Sequence, residues 1–340
     1  MSLAFPRRLL SSHTLSAARF SSRTFSTSRR ALADQVRIVE VGPRDGLQNE
    51  NTSIPAETKI ELVRRLAATG LDAIEAGSFV HPKWVPQMAA SDKVLSSILA
   101  NPPRSQKPMT YQWLLPNSKG LDNYFKTHEV SIFMAATESF SKKNTNCTIK
   151  ESLDRFAPLM AESRKAGYSV RAYISVALGC PFEGPDVDPH KVAELAASLL
   201  EMGADEISVA DTTGMGTAPR TQKLLQTLKE AGVRSEDLAL HFHDTFGQAL
   251  INTMVSLEHG IRTFDSAVGG LGGCPYSPGA TGNVATEDLV YFLHSLGAQT
   301  GVDLDEVSRI GDWITAEIGK SNSASAGKAT LARLKREGSA

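Results

Sequence analysis

From Gln35 onward, short β-rich runs alternate with helical runs that end in glycine, which is the pattern of parallel βα units. Eight runs read as strands: Val36 to Val41, Ala73 to Phe79, Thr110 to Leu115, Val130 to Ala135, Val170 to Ala177, Glu206 to Ala210, Leu238 to His243 and Thr263 to Val268. The helices between them carry boundary signals. In DPHKVAELAASLLEMG, Asp188 suits the N-cap, Pro189 the first helical position and Gly203 the stop, with Val192, Leu195, Ala196 and Leu199 on one face. PAETKIELVRRLAATG repeats the design, with Ile60, Val63, Leu66 and Ala67 ending at Gly70. Eight such units over roughly 250 residues predict an α/β fold of the closed (β/α)8, or TIM-barrel, type. An open doubly wound sheet is the competing architecture. Its glycine-rich phosphate turn is absent, and Gly42-Pro43-Arg44-Asp45 follows the first strand instead. The barrel is assigned to residues 35–297, a short helical extension to 298–320 and a flexible tail to 321–340.

A barrel builds its site where the strands end, so polar residues there are the ones to test. Arg44 and Asp45 follow the first strand, Glu75 lies in the second, Asp211 closes the sixth, His241 and His243 end the seventh, and Cys274 and Asn283 follow the eighth. In His241-Phe242-His243 the two-residue period sends both imidazoles to one side, towards the barrel axis, while Leu238, Leu240 and Phe242 face the helix layer. Two imidazoles with the Asp45 carboxylate and the Asn283 carbonyl suit a divalent ion that prefers oxygen, Mg²⁺ or Mn²⁺. Zinc would collect thiolates or a third histidine, which this spacing does not offer. An isolated HxH is as a rule a structural pair; the Asp45 carboxylate at the matching end of another strand weakens that reading. The remaining histidines sit in loops or helices, with His81 in FVHPKW the one near the mouth.

Composition narrows the class. With 41% hydrophobic and 21% charged residues the chain is ordinary globular protein, and no apolar run is long enough to cross a bilayer. The three cysteines are too few and scattered for a disulfide framework. Residues 1–33 hold six arginines, no acidic residue and many Ser and Thr, the composition of a mitochondrial transit peptide cut near Leu32 or Ala33. Without them the chain has 30 basic against 37 acidic residues, so nothing draws it to nucleic acid. Six glycines around Cys274 in the stretch from Ser266 to Asn283 exclude helix and strand and predict a loop that can bring a reactive thiol over a ligand. The alternative is a surface linker with an inert cysteine.

VGPRDGLQNE (Val41 to Glu50), GSFVHPKWVPQM, VADTTGMG, HFHDTFGQAL and AVGGLGGCPYSPGATGNVATEDL resemble the 3-hydroxy-3-methylglutaryl-CoA lyase family from about Val36 to Leu296. GGLGGCPY is specific for these lyases, whereas RDG and HxH are shared with barrels that condense acetyl-CoA with 2-oxo acids. The resemblance implies cleavage of 3-hydroxy-3-methylglutaryl-CoA to acetyl-CoA and acetoacetate in the mitochondrial matrix, and a homodimer. It implies Asp45, His241, His243 and Asn283 as metal ligands, Arg44 and Cys274 as catalytic, and Glu75, Asp211 and Glu287 as acidic residues supporting the site. Either Asp45 or His241 would serve as the base. Substrate contacts are expected from Arg44, Gln48 and Glu75, and CoA phosphate contacts from Lys142, Lys143 and Asn144, which read equally as a solvated loop tip. The chain departs from the animal pattern at Asn51, where a lysine often stands, at Ala76-Gly77 and at His81, and its tail lacks the cysteine that animal members carry.

Overall fold

The computed structural model describes residues 35–50, 53–117, 129–273 and 282–338. Residues 1–33, for which a transit peptide is expected, and Asn51 and Cys274 therefore lie outside the described residues. Eight parallel strands, β1 (Arg37–Glu40), β2 (Ala73–Ser78), β3 (Thr110–Leu114), β4 (Glu129–Ala135), β5 (Ser169–Ser175), β6 (Glu206–Asp211), β7 (Leu238–Phe242) and β8 (Thr263–Ser266), close into a barrel. The seam is the β1–β8 pair, in register from Arg37↔Thr263 to Glu40↔Ser266. All eight expected strands are present, most a residue or two shorter than the β-rich runs. His243 is one of the residues trimmed, lying just past β7 in an isolated bridge with Asn283.

Helices α1 (Ala56–Ala67), α2 (Ser91–Ala100), α3 (Glu138–Thr145), α4 (Ile149–Lys165), α5 (Pro189–Glu201), α6 (Ala218–Glu230), α7 (Ala249–Glu258) and α8 (Thr286–Ser295) follow the strands. In α5 the Asp188 side chain accepts from the His190 N–H at 3.0 Å, Pro189 opens the helix and Gly203 takes φ +103° beyond its end. Val192, Leu195, Ala196 and Leu199 are all buried, and each Val or Leu contributes about 2 kcal/mol by leaving water. In β2 a bulge sets Glu75 opposite Gln112 and Gly77 opposite Trp113, leaving Ala76 as the extra residue. Gly77 is required there, because a Cβ would come within 2.8 Å of the Trp113 ring and of Ser91 Oγ.

The barrel interior is charged instead of lined by branched apolar side chains. Arg171 is fully buried and reaches Glu206 Oε1 and Asp265 Oδ1, each at 2.7 Å, and the Tyr173 hydroxyl at 3.0 Å. Burying such charges is tolerated only when they are paired and hydrogen-bonded.

Two helices close the chain, α9 (Leu304–Glu317) and α10 (Ser325–Glu337). The first matches the expected extension; the second corrects the expectation of a flexible tail from Ser321. Its small-residue composition reads as coil, yet small residues are what let the segment dock closely. Ala324 is fully buried, as are Gly327 and Thr330 nearly so, and Asp288 of α8 accepts from the Ser325 and Ala326 N–H groups, capping the helix from outside its own sequence. Asp288→Ala should cost about 1 kcal/mol and speed hydrogen exchange across 325–337 without altering exchange in the strands. Unchanged exchange in α10 would show that its packing, not this cap, holds it. Among the described residues no helix is long and apolar enough to cross a membrane.

Candidate metal and active site at the barrel mouth

The π-helical turn Gly42–Gly46 carries the first two site residues past β1. Buried Glu40 anchors it, accepting from the Gly42 N–H at 2.8 Å and, across the seam, from the Val268 N–H at 2.9 Å. Arg44 then points inward: its Nε donates to Glu75 Oε2 at 2.7 Å, its Nη2 lies 2.6 Å from the same oxygen, and its Nη1 donates to Asp45 Oδ1 at 2.7 Å. Glu75, fully buried, also accepts from the Ser131 and Tyr173 hydroxyls at 3.1 and 3.2 Å.

Asp45, His241 and His243 offer ligand atoms that all lie within 4.8 Å of one another, the group among the described residues suited to a metal ion. His241 Nε2 is 3.9 Å from Asp45 Oδ2, and the two imidazole centroids are 5.3 Å apart. Asn283 joins them through its backbone bridge to His243 and through its side-chain amide, which donates to Asp45 Oδ2 at 2.9 Å and to the Leu271 carbonyl at 3.2 Å. Two buried atoms here have no partner, His243 Nδ1 and Asn283 Oδ1. A buried lone pair left unmade is costly, and a cation is one way to satisfy it.

Electrostatics agree with a ligand set. Burial alone would raise the Asp45 carboxyl, but Arg44, followed by His241 and His243, outweighs it and holds the group down at about 2. Burial, then the neighbouring His241, pushes His243 down to about 3, so it is neutral with a lone pair to give. Burial would lower His241 as well, but the hydrogen bond and charge of Asp265 raise it. Asp211, at the end of β6, is raised to about 7 by burial; its Oδ2 accepts from the Gly216 N–H at 2.9 Å and its Oδ1 has no partner.

The other expected residues fall at varying distance from this set. Glu287 does not face the ligands; both its oxygens accept from the Gly269 N–H, at 3.0 and 2.9 Å, at the turn that leads into the glycine-rich stretch. Gln48 is half-buried just after the π-helical turn, and Lys142, Lys143 and Asn144 are exposed on α3, which leaves the mouth end of β4. His81 is exposed in the loop after β2. Reasoning from sequence missed Asp265, Arg171, Tyr173 and Glu40. For Asp265, Arg171 and Tyr173 the signal lies in polar residues on the inward half of the two-residue period, whereas Glu40, in register with Ser266 and bonded to Thr286, faces the helix layer.

Residues 35–314 match the family model described as HMGL-like, which spans the barrel, the ligand set and most of α9. The chain belongs to the HMGL-like family. The "3-hydroxy-3-isohexenylglutaryl-CoA/hydroxy-methylglutaryl-CoA lyase" of Pseudomonas aeruginosa is 51% identical over 89% of this chain and 99% of its own. The mitochondrial hydroxymethylglutaryl-CoA lyase of Mus musculus is 48% identical over 96% of this chain and 97% of its own. Among solved structures, an HMG-CoA lyase from Acinetobacter baumannii in complex with coenzyme A and 3-methylmalate is 34% identical, with a TM-score of 0.80 over 87% of this chain and 95% of that one. Its HMGL-like membership thus covers both the fold and the residues at the mouth.

Proposed function

We propose that this chain is a hydroxymethylglutaryl-CoA lyase, cleaving 3-hydroxy-3-methylglutaryl-CoA to acetyl-CoA and acetoacetate. The observation that carries the reading is the convergence of Asp45, His241 and His243 beside the Arg44 guanidinium, in a chain about half identical to lyases named for this substrate. Asp45, His241, His243 and, through its carbonyl, Asn283 are the residues that would hold a divalent cation. Bound there, the cation would polarise the C3 hydroxyl and a second substrate oxygen and hold both in place.

The rest of the work belongs to side chains. The C3 hydroxyl proton passes to Asp45 or His241, the C2–C3 bond breaks, C3 becomes the ketone of acetoacetate, and the electron pair moves into the thioester enolate of acetyl-CoA. Arg44 is permanently charged and pinned by Glu75, so its donors need no reorganisation when that enolate oxygen becomes negative. Cys274, which the sequence places in the glycine-rich stretch, would return a proton to C2; a thiol of ordinary pKa about 8.5 suits that task near neutrality. Lys142, Lys143 and Asn144 are our assignment for the CoA phosphates, and Gln48 for the acyl end. Residues 1–33 would direct the chain to the mitochondrial matrix, as the name of the mouse relative supports, and a homodimer is the assembly we infer.

The test is to incubate the purified protein with 3-hydroxy-3-methylglutaryl-CoA and Mg²⁺ or Mn²⁺. Acetoacetate and acetyl-CoA should form with either ion and cease with a chelator. Condensation of acetyl-CoA with a 2-oxo acid in place of cleavage would replace the reading by a synthase, and acyl-CoA binding without turnover by either route would replace it by a binding protein.

A further inference from the structure

His241 and His243 stand two residues apart on the same side of the strand, but the structure treats them differently. His243 Nδ1 is buried without a partner, whereas His241 Nδ1 lies 3.1 Å from Asp265 Oδ2. Asp265 is in turn held from two sides. Its Oδ1 lies 2.7 Å from Arg171 Nη2, its Oδ2 accepts from Ser208 Oγ at 2.8 Å, and it is almost wholly buried. Arg171 is fixed from its other side by Glu206 and Tyr173, so neither partner of the ion pair can turn away.

We infer that Asp265, held by Arg171 and Ser208, is a positioning residue that fixes the tautomer and ring orientation of His241. A carboxylate paired with a guanidinium only accepts, so the hydrogen in the 3.1 Å contact belongs to His241 Nδ1. In the neutral ring Nε2 is then the bare nitrogen, and it is the one that faces Asp45 Oδ2. Carboxylates that take the outer N–H of a ligating histidine raise its basicity and lock its orientation. The pair Asp265–Arg171, drawn from β8 and β5, thus supports His241 from beneath, while His243 Nδ1 has no such support. This inference rests on the ligand reading proposed for His241.

The experiment reads the proton directly. Long-range ¹H–¹⁵N NMR of the metal-free protein, with the His241 signals identified by their loss in His241→Gln, should show protonated Nδ1 and bare Nε2 at a pH where the ring is neutral. In Asp265→Asn the amide can donate to Nδ1, so the tautomer should reverse. Mn²⁺ affinity, followed by the EPR signal of free Mn²⁺, should fall about 10- to 100-fold. Asp265→Glu should recover part of it. A wild-type His241 carrying its proton on Nε2 overturns the inference whatever the variants do, so it stays decidable even if Asp265→Asn fails to fold. So does a folded Asp265→Asn with tautomer and Mn²⁺ affinity both unchanged. A wild-type protein with protonated Nδ1 and tight Mn²⁺ binding that releases no acetoacetate overturns the lyase reading and supports this one.

Discussion

Arg44→Met should lower kcat for 3-hydroxy-3-methylglutaryl-CoA cleavage by roughly 100- to 1000-fold, the usual cost of losing one preorganised donor to a developing oxyanion. The side chain is buried, spans Glu75 and Asp45, and its guanidinium carbon lies 5.5 Å from the centre of the Tyr173 ring. Removing it does two things that must be separated. Loss of the donors weakens transition-state binding, and loss of the guanidinium leaves Glu75 buried without its cationic partner, which destabilises the fold by about 3–5 kcal/mol. Arg44→Met combined with Glu75→Gln should therefore regain most of the stability measured by urea unfolding and none of the turnover. Activity returning together with stability would mean that Arg44 is a strut and not a donor to the enolate. Arg44→Lys should also fail, since a single ammonium cannot occupy the fork that Glu75 and Asp45 define.

The second large effect is on stability against pH. Glu40 and Glu287 are both fully buried where the seam meets the turn Val268–Gly270, and burial raises them from 4.5 to about 7 and about 8. Glu40 accepts three hydrogen bonds, from the Gly42 and Val268 N–H groups and from Thr286 Oγ1 at 2.6 Å, which favour its ionised form. Glu287 has the Gly269 N–H, with Glu40 and Asp288 adding repulsion, so it is the one that keeps its proton to higher pH. Raised carboxyl values mean that the folded state holds protons the unfolded chain has released. This contribution is complete below about 4.5 and is lost as pH rises through 7 and 8. Glu287→Gln, which keeps an acceptor for Gly269, should abolish its share. Relative to wild type the variant should gain on the order of 3 kcal/mol between pH 5.5 and pH 8.5 in urea unfolding. Asp211, also raised, acts in both proteins and cancels in the difference. Equal pH slopes for the two proteins would show that Glu287 is ionised throughout.

Much of this architecture could be read from residue order because it is written in local periods. The eight strands, the capping of α5 by Asp188 and Pro189, and the shared side of His241 and His243 all depend on residues a few positions apart. Asp265 and Arg171 were overlooked for the opposite reason: they lie 94 positions apart, and their meaning appears only once the barrel closes. Each sits in a strand whose apolar half was used to recognise it and whose polar half was passed over. A similar limit explains the last helix. Its cap comes from Asp288 on α8, which no pattern within residues 321–340 could reveal.

The docking of that last helix also reaches back to the chemistry. Ser323 donates through its hydroxyl to the Gly269 carbonyl at 3.0 Å and through its N–H to the same oxygen at 3.1 Å, just upstream of the run that ends at Cys274. Lys320 bonds Glu50 at 2.7 Å, at the far end of the stretch that bears Arg44 and Asp45. The segment that joins α9 to α10 therefore braces both the turn at Gly269 and the end of the stretch that bears Arg44 and Asp45, so a change at residues 320–323 is felt at two strand ends of the mouth.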